Sequence, residues 1–295
     1  MTGTPIPRVV LVDGVPMSGL LAEAPNPRAT IVAIHGGATT ALYFDCPGFP
    51  ALSLLRTGTE HGFTVLAIDR PGFGSSALYA DEFTSTPKRI DAAYGTIDTI
   101  LGTRDRGAGV FLLAHSAGCE LALRMAADER GDALLGIEIS GTGVRQQQEA
   151  MAILSGASIE RIPTGLRQLL WEPAHLYADG VDRAVRIQGG PAGVRYEASV
   201  VSGWARDLPD LAALVQIPVR FSLGAYERVW ETGPAALTEV AALFTAAPQV
   251  VVHEQAEGGH NLSLGHTAAD YHASVLTFVE QCTTGKTTDF TMEGS

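Results

Sequence analysis

The stretch LLAHSAGCELAL, residues 112–123, places a single serine between a continuous apolar run and a segment with helical apolar spacing. Small residues surround Ser116: Ala114 lies two positions before it, and Ala117 and Gly118 follow it. A strand that turns directly into a helix leaves little room for side chains at the turn. The pattern therefore predicts a strand, a sharp turn that carries a hydroxyl, and a helix.

Apolar runs elsewhere in the chain predict the sheet to which this strand belongs. Short continuous runs such as ATIVAIHGG (29–37) and FTVLAI (63–68) are typical of strands buried on both faces, as in parallel sheets. The eight strand candidates are RVVLV (8–12), SGLLAEA (18–24), the runs at 29–37, 63–68 and 108–116, LLGIEISG (134–141), PVRFSLG (218–224) and PQVVVHE (248–254). Helical patterns separate most of them, which indicates the α/β class with an eight-stranded, mostly parallel, doubly wound sheet.

Residues 141–217 interrupt this alternation. They contain short helical patterns broken by Gly and Pro, among them QEAMAIL (148–154), TGLRQLLW (164–171) and PDLAALV (209–215). We interpret them as a helical lid or cap inserted after the sixth strand and lying over the strand ends; the alternative is a small domain packed elsewhere. The core then comprises residues 1–140 and 218–283, and the polar, aperiodic residues 284–295 form a flexible tail.

Composition narrows the function classes. The chain has 295 residues, is 46% hydrophobic and carries a formal net charge of −12, so its surface repels nucleic-acid backbones. No segment approaches the roughly 20 apolar residues of a membrane span, and the first residues do not resemble a secretory signal. Cys46, Cys119 and Cys282 are far apart and have no metal-ligand spacing. We expect a cytoplasmic protein that binds no nucleic acid, membrane, metal or cofactor.

The motif Ala114-His115-Ser116-Ala117-Gly118 resembles the G-x-S-x-G nucleophile elbow of the α/β-hydrolase superfamily, with alanine in place of the first glycine. The resemblance implies that Ser116 is a nucleophile for acyl transfer through an acyl-serine intermediate. Alanine is the next smallest residue, so we expect the tight turn to survive. The dehalogenase and epoxide hydrolase branches carry aspartate at this position, so Ser116 argues against them.

A serine hydroxyl needs an adjacent base, and the superfamily orders its residues along the chain as serine, acid and histidine. His260, in EGGHNLSLG (257–265), lies between the last strand and the last helix, where the superfamily carries its base. Glu227, three residues after Gly224, stands at the family's acid position, where aspartate is more usual. The alternative acids are Asp207, Asp210 and Glu257.

The resemblance also implies two backbone N–H donors for the oxyanion that forms when a serine attacks a carbonyl. Ala117 supplies one, and the loop after IVAIH points to Gly37 for the other, with Ala38 as the alternative. The segment DRPGFGSS (69–76) is a further hallmark of the superfamily. We interpret it as structural, with Asp69 and Arg70 as a scaffold pair.

Aromatic residues concentrate in the insertion and on the acid loop, and the substrate-pocket candidates are Trp171, Trp204, Tyr226 and Trp230. Their rings either line a pocket for a flat or apolar acyl group or attach the insertion to the core. Residues 141–217 carry seven basic against eight acidic side chains, so most of the negative charge lies outside the insertion. An insertion that is less acidic than the rest of the chain favours an acidic partner, for example an acyl carrier protein.

Three functions are compatible with the sequence. The first is hydrolysis of an ester or thioester of a small apolar or aromatic acid. The second is acyl transfer with the same three residues to an acceptor other than water, as in natural-product biosynthesis. The third is a binding protein with this fold and no catalytic activity, against which the complete set of Ser116, Glu227 and His260 argues.

Overall fold

Eight strands form one central sheet in a computed structural model that describes residues 3–155, 163–187 and 195–288. They are β1 (Ile6–Val12), β2 (Val15–Ala22), β3 (Thr30–Ile34), β4 (Thr64–Ile68), β5 (Val110–His115), β6 (Gly136–Ser140), β7 (Val219–Gly224) and β8 (Val250–Gln255). Their order across the sheet is β1-β2-β4-β3-β5-β6-β7-β8. Strand β2 is antiparallel to both of its neighbours, and all other neighbouring strands are parallel. Each strand falls on a predicted segment, so the predicted sheet is confirmed.

Burial explains why the central strands read as continuous apolar runs. Every residue of β3, β4, β6 and β7 is buried, because helices cover both faces of the sheet. The helices are α1 (Leu54–Glu60), α2 (Thr86–Leu101), α3 (Gly118–Ala126), α4 (Gln148–Leu154), α5 (Leu166–Trp171), α6 (Val181–Ala184), α7 (Arg195–Leu214), α8 (Gly233–Ala241) and α9 (Ala268–Thr288). One large hydrophobic cluster includes residues of α2, α3, α7 and α8, and a second includes residues of α1 and α9.

The last helix is longer than its apolar pattern predicts. The spacing of apolar residues ends near Glu280, whereas α9 continues to Thr288. Residues 284–288, the first part of the predicted flexible tail, are therefore helical, because backbone hydrogen bonds extend a helix beyond the part that packs on the core. Residues 289–295 lie outside the described residues.

Helices α4 to α7 all fall between β6 and β7, which is where the sequence places the insertion. Helix α7 differs from the prediction, because it runs for 20 residues through Pro209 instead of beginning a new short helix there. Trp204, Leu208 and Ala212 recur at helical spacing and are buried in the main hydrophobic cluster. Their burial outweighs the cost of an internal proline, about 3 kcal/mol. The division into core and lid stays a prediction, and residues 156–162 and 188–194 lie outside the described part.

Candidate active site

The turn after β5 has the geometry that the small residues around Ser116 predict. Ser116 has a positive φ of 51°, which places a non-glycine residue in the left-handed region. Its N–H donates to the carbonyl of Ser140 on β6 at 2.8 Å, which fixes the turn to the sheet. A Cβ at Gly118 would lie 2.5 Å from the carbonyl oxygen of His35, so only glycine fits there. Ala114, which replaces the first glycine of the motif, is fully buried near the end of β5, and the sharp turn at Ser116 is formed.

Ser116, His260 and Glu227 form one hydrogen-bonded line. The distance from His260 Nε2 to Ser116 Oγ is 3.1 Å, and His260 Nδ1 lies 2.8 and 3.1 Å from the two carboxylate oxygens of Glu227. A carboxylate accepts hydrogen bonds, so Nδ1 carries the ring proton in this arrangement. Nε2 of the neutral ring is then the atom that accepts the hydroxyl proton of Ser116.

The carboxylate of Glu227 is buried and held from a second side. The N–H of Val229 donates to Glu227 Oε1 at 2.8 Å, and the N–H of Glu227 itself donates to the carbonyl of Gly224 at 3.1 Å. The alternative acids have other surroundings: Asp207 pairs with Arg124, and Asp210 and Glu257 are exposed. The structure therefore brings Glu227, and none of these three, to the ring of His260.

His115, the residue before Ser116, contacts the histidine loop. Its Nε2 donates to the backbone carbonyl of His260 at 3.0 Å, and its ring stacks on Tyr43 at 4.4 Å between centroids. Burial, together with the nearby imidazole of His260, lowers the pKa of His115 well below its usual value, so the ring is neutral. No sequence pattern predicts a role for His115, and the only signal for it is its place inside the motif around Ser116.

The insertion also holds the histidine loop. The N–H of Asn261 donates to the hydroxyl of Tyr177 at 3.2 Å, and its side-chain amide donates to the carbonyl of Leu170 at 2.7 Å. Further along the same loop, the N–H of His266 donates to the carbonyl of Leu176 at 2.9 Å. Residues 170–177 of the insertion are thus attached to the loop that carries His260.

The loop after β3, which carries the predicted oxyanion donor Gly37, lies directly against the serine turn. A Cβ at Gly36 would lie 3.1 Å from Cβ of Ser116, so glycine is what permits this approach. Ala38 has a positive φ of 55°, and its carbonyl accepts a hydrogen bond from the N–H of Ile187 at 3.2 Å. Ala117 immediately precedes α3, whose first N–H groups have no partner within the helix. The oxyanion roles of Gly37 and Ala117 remain predictions.

Asp69 and Arg70 stabilise different parts of the scaffold. The Asp69 carboxylate accepts hydrogen bonds from the hydroxyl of Ser18 at 2.5 Å and the N–H of Ala41 at 2.8 Å. Burial raises the pKa of Asp69. The Arg70 guanidinium donates to the carbonyl of Gly36 at 2.8 Å and forms an ion pair with Glu197 of α7. Asp69 and Arg70 are adjacent in sequence but thus hold different segments of the chain.

The four aromatic candidates occupy different surroundings. The indole N–H of Trp204 donates to the carbonyl of Gly143, and that of Trp230 to the carbonyl of Gly141, both at 3.1 Å. Trp204 is buried in the main hydrophobic cluster, where it attaches α7 to the core. Trp171 is partly buried with its ring 5.2 Å from that of Tyr177, and Tyr226 is exposed. A pocket role for these residues stays a prediction.

Within the described residues, no helix is both long and apolar enough to cross a bilayer. Cys46, Cys119 and Cys282 are buried. Among the described residues, no group of three or more His, Cys, Asp or Glu side chains could hold a metal ion.

The sequence model of the alpha/beta hydrolase family matches residues 31–273, which is most of the chain. The chain therefore belongs to the alpha/beta hydrolase family and is an enzyme of that family. No curated protein matches it.

Solved structures share the fold. An E-2-(acetamidomethylene)succinate hydrolase is 20% identical with a TM-score of 0.64, and the match covers 94% of this chain and 100% of that chain. The N-acyl homoserine lactonase AidH, in complex with N-hexanoyl homoserine, is 18% identical over 95% and 98% of the two chains, with a TM-score of 0.66. A lipase in its open form is 17% identical over 91% and 95%, also with a TM-score of 0.66.

Proposed function

We propose that the protein hydrolyses an ester or thioester through an acyl-serine intermediate on Ser116. The observation that carries the proposal is the line of hydrogen bonds from Ser116 Oγ through His260 to Glu227, at 3.1 and 2.8 Å. This is the arrangement in which a base activates a weak nucleophile and a third group holds the base in one tautomer.

The steps follow from the positions of the three side chains. Ser116 Oγ attacks the carbonyl carbon while His260 Nε2 takes its proton, and Glu227 stabilises the imidazolium that forms. The N–H groups of Ala117 and Gly37 donate to the oxyanion. His260 then returns the proton to the leaving alcohol or thiol, and the acyl group remains on Ser116. A water molecule, deprotonated by His260, then attacks the acyl carbon. The bond from that carbon to Ser116 Oγ breaks, His260 returns the proton to Oγ, and the acid is released.

The acyl group is small and apolar or aromatic in this proposal. Support comes from the aromatic side chains of the insertion and of the acid loop, of which Trp171 packs against Tyr177, the residue that holds the His260 loop. Rings at such positions offer apolar surface to a flat substrate at low conformational cost.

A fluorophosphonate probe tests the serine mechanism. We expect the folded protein to be labelled once, and the Ser116→Ala variant not to be labelled. Intact mass measured after brief incubation with a panel of aryl esters and acyl thioesters then identifies the acyl group by the mass of the adduct. Absent labelling of folded protein, or labelling that persists in Ser116→Ala, contradicts the proposal and favours a binding protein with this fold.

Product analysis identifies the acyl acceptor, and the salt dependence of turnover tests whether a carrier protein delivers the substrate. Free acid as the sole product supports hydrolysis, whereas an ester, amide or thioester that appears only with an added alcohol, amine or thiol supports acyl transfer. If an acidic carrier protein delivers the acyl group, turnover is expected to fall steeply as salt is added. Salt screens the attraction between the carrier's acidic groups and basic side chains of the insertion. Turnover of a carrier-bound thioester that does not change with salt argues against such a partner.

A further inference from the structure

Glu197 brings a carboxylate from the insertion to the loop that carries Gly37. It lies in the first turn of α7, and its two carboxylate oxygens lie 3.6 and 3.9 Å from the position that a Cβ on Gly37 would occupy. The same carboxylate forms an ion pair with Arg70. The Arg70 side chain is 2% exposed and that of Glu197 is 15% exposed. The carboxylate therefore lies on the solvent side of a buried guanidinium.

Arg70 binds the loop that packs against the proposed nucleophile. The nitrogen that pairs with Glu197 also donates to the carbonyl of Gly36 at 2.8 Å, and Gly36 packs against Ser116. The guanidinium carbon also lies 4.4 Å from the centroid of the Phe73 ring, which packs against it. A guanidinium held in this way is suited to bind a carboxylate. In this structure, the carboxylate at that position belongs to Glu197.

We propose that Glu197 is a specificity-determining residue that excludes anionic acyl groups. Its carboxylate occupies the position at Arg70 that the carboxylate of an anionic acyl group would take. A second negative charge at this place would meet the largely buried carboxylate of Glu197, and partial burial makes repulsion between like charges stronger than in bulk solvent. The site therefore selects neutral acyl groups, a conclusion that rests on the proposed acyl chemistry at Ser116.

The test compares two esters with the same leaving group and chain length, p-nitrophenyl hexanoate and mono-p-nitrophenyl adipate, which differ in the charge at the end of the acyl chain. The wild-type enzyme is expected to prefer the hexanoate. Glu197→Gln keeps the shape and removes the charge, so we expect it to raise the ratio of kcat/KM for adipate over hexanoate about tenfold or more. Glu197→Asp keeps the charge and is expected to leave the ratio within about threefold of wild type.

Asp182→Asn is the matched control. Asp182 also lies in the insertion, its side chain is also 15% exposed, and it is also paired with an arginine, Arg167. We expect the adipate-to-hexanoate ratio of this variant to equal that of wild type. A ratio that rises equally in Asp182→Asn and Glu197→Gln would overturn the inference, because it would reflect the net charge of the insertion.

A binding measurement separates this inference from the proposed function. Free adipate is expected to raise the melting temperature of Glu197→Gln and not that of wild type, with hexanamide as the uncharged comparison. Serine-dependent ester turnover with an unchanged ratio, and no stabilisation by adipate, overturns the inference alone. Stabilisation of Glu197→Gln by adipate without any serine-dependent turnover supports the anion position and contradicts the hydrolase proposal.

Discussion

His115 Nε2 lies 3.0 Å from the backbone carbonyl oxygen of His260, so the residue before the proposed nucleophile binds the main chain of the proposed base. A carbonyl can only accept, which fixes the proton of His115 on Nε2. Because the ring also stacks on Tyr43, its position is set from two sides. The serine turn and the histidine loop therefore hold each other in position.

Replacement of His115 by phenylalanine tests this relationship. The variant keeps a ring to stack on Tyr43 but removes the donor to His260, so we expect kcat to fall about tenfold with a smaller change in KM. His115→Gln, which retains a side-chain N–H, is expected to recover part of the loss. The measurement is steady-state kinetics on one aryl ester, with melting temperatures to verify folding. Equal kcat values for His115→Phe and wild type would show that the hydrogen bond does not position His260.

Removal of the charge of Glu227 tests its proposed role. Glu227→Gln retains the shape of the side chain but no longer stabilises an imidazolium on His260, so we expect kcat to fall by about 10² to 10⁴. Glu227→Asp keeps the charge on a side chain one methylene shorter and is expected to lose less. Substitution of exposed Glu257 by Gln is the control and should leave kcat unchanged. If Glu227→Gln retains wild-type kcat, another group orients the histidine.

The left-handed backbone of Ser116 predicts an effect on stability. A non-glycine residue at φ 51° carries strain of about 1–3 kcal/mol, whereas glycine adopts this conformation freely. We expect Ser116→Gly to be more stable than Ser116→Ala by about 1 kcal/mol, since the greater flexibility of unfolded glycine offsets part of the gain. Urea unfolding of the two variants, both without the hydroxyl, measures the difference. A less stable Ser116→Gly would argue against strain at the turn.

His272 makes the protein sensitive to acid. Its ring is fully buried on α9, neither ring nitrogen has a hydrogen-bond partner among the described residues, and burial lowers its pKa from 6.5 to about 4. The unfolded chain therefore binds a proton that the folded protein does not, and stability falls as the pH drops from 6.5 towards 4. Over this range the loss is about 3 kcal/mol.

His272→Leu removes that titration without leaving a buried polar group. We expect the difference in unfolding free energy between pH 7 and pH 4.5 to shrink by about 2 kcal/mol, as measured by urea unfolding at both values. His266→Gln, at an exposed position of the same region, is the control and should keep the wild-type difference. An unchanged difference in His272→Leu would mean that other groups cause the acid sensitivity.

Local pattern was sufficient for most of the fold. The apolar runs predict all eight strands. The signal is clearest for β3, β4, β6 and β7, because a strand buried on both faces must be apolar at nearly every position. Small residues around Ser116 predict the sharp turn, because larger ones would collide with β3 there, as the close approach of Gly118 to His35 makes plain. The order of Ser116, Glu227 and His260 along the chain likewise follows from the sequence and the family resemblance.

Contacts between distant segments required the tertiary structure. Only the folded chain places Glu227, and not Asp207, against His260, and only there does Glu197 meet Arg70, 127 residues away in sequence. The same holds for the passage of α7 through Pro209, which the burial of Trp204 and Leu208 decides against local propensity. Periodicity and motif spacing depend on neighbours along the chain. The packing of elements that are remote in sequence decides which partner a carboxylate meets. The local sequence contains no signal for that packing.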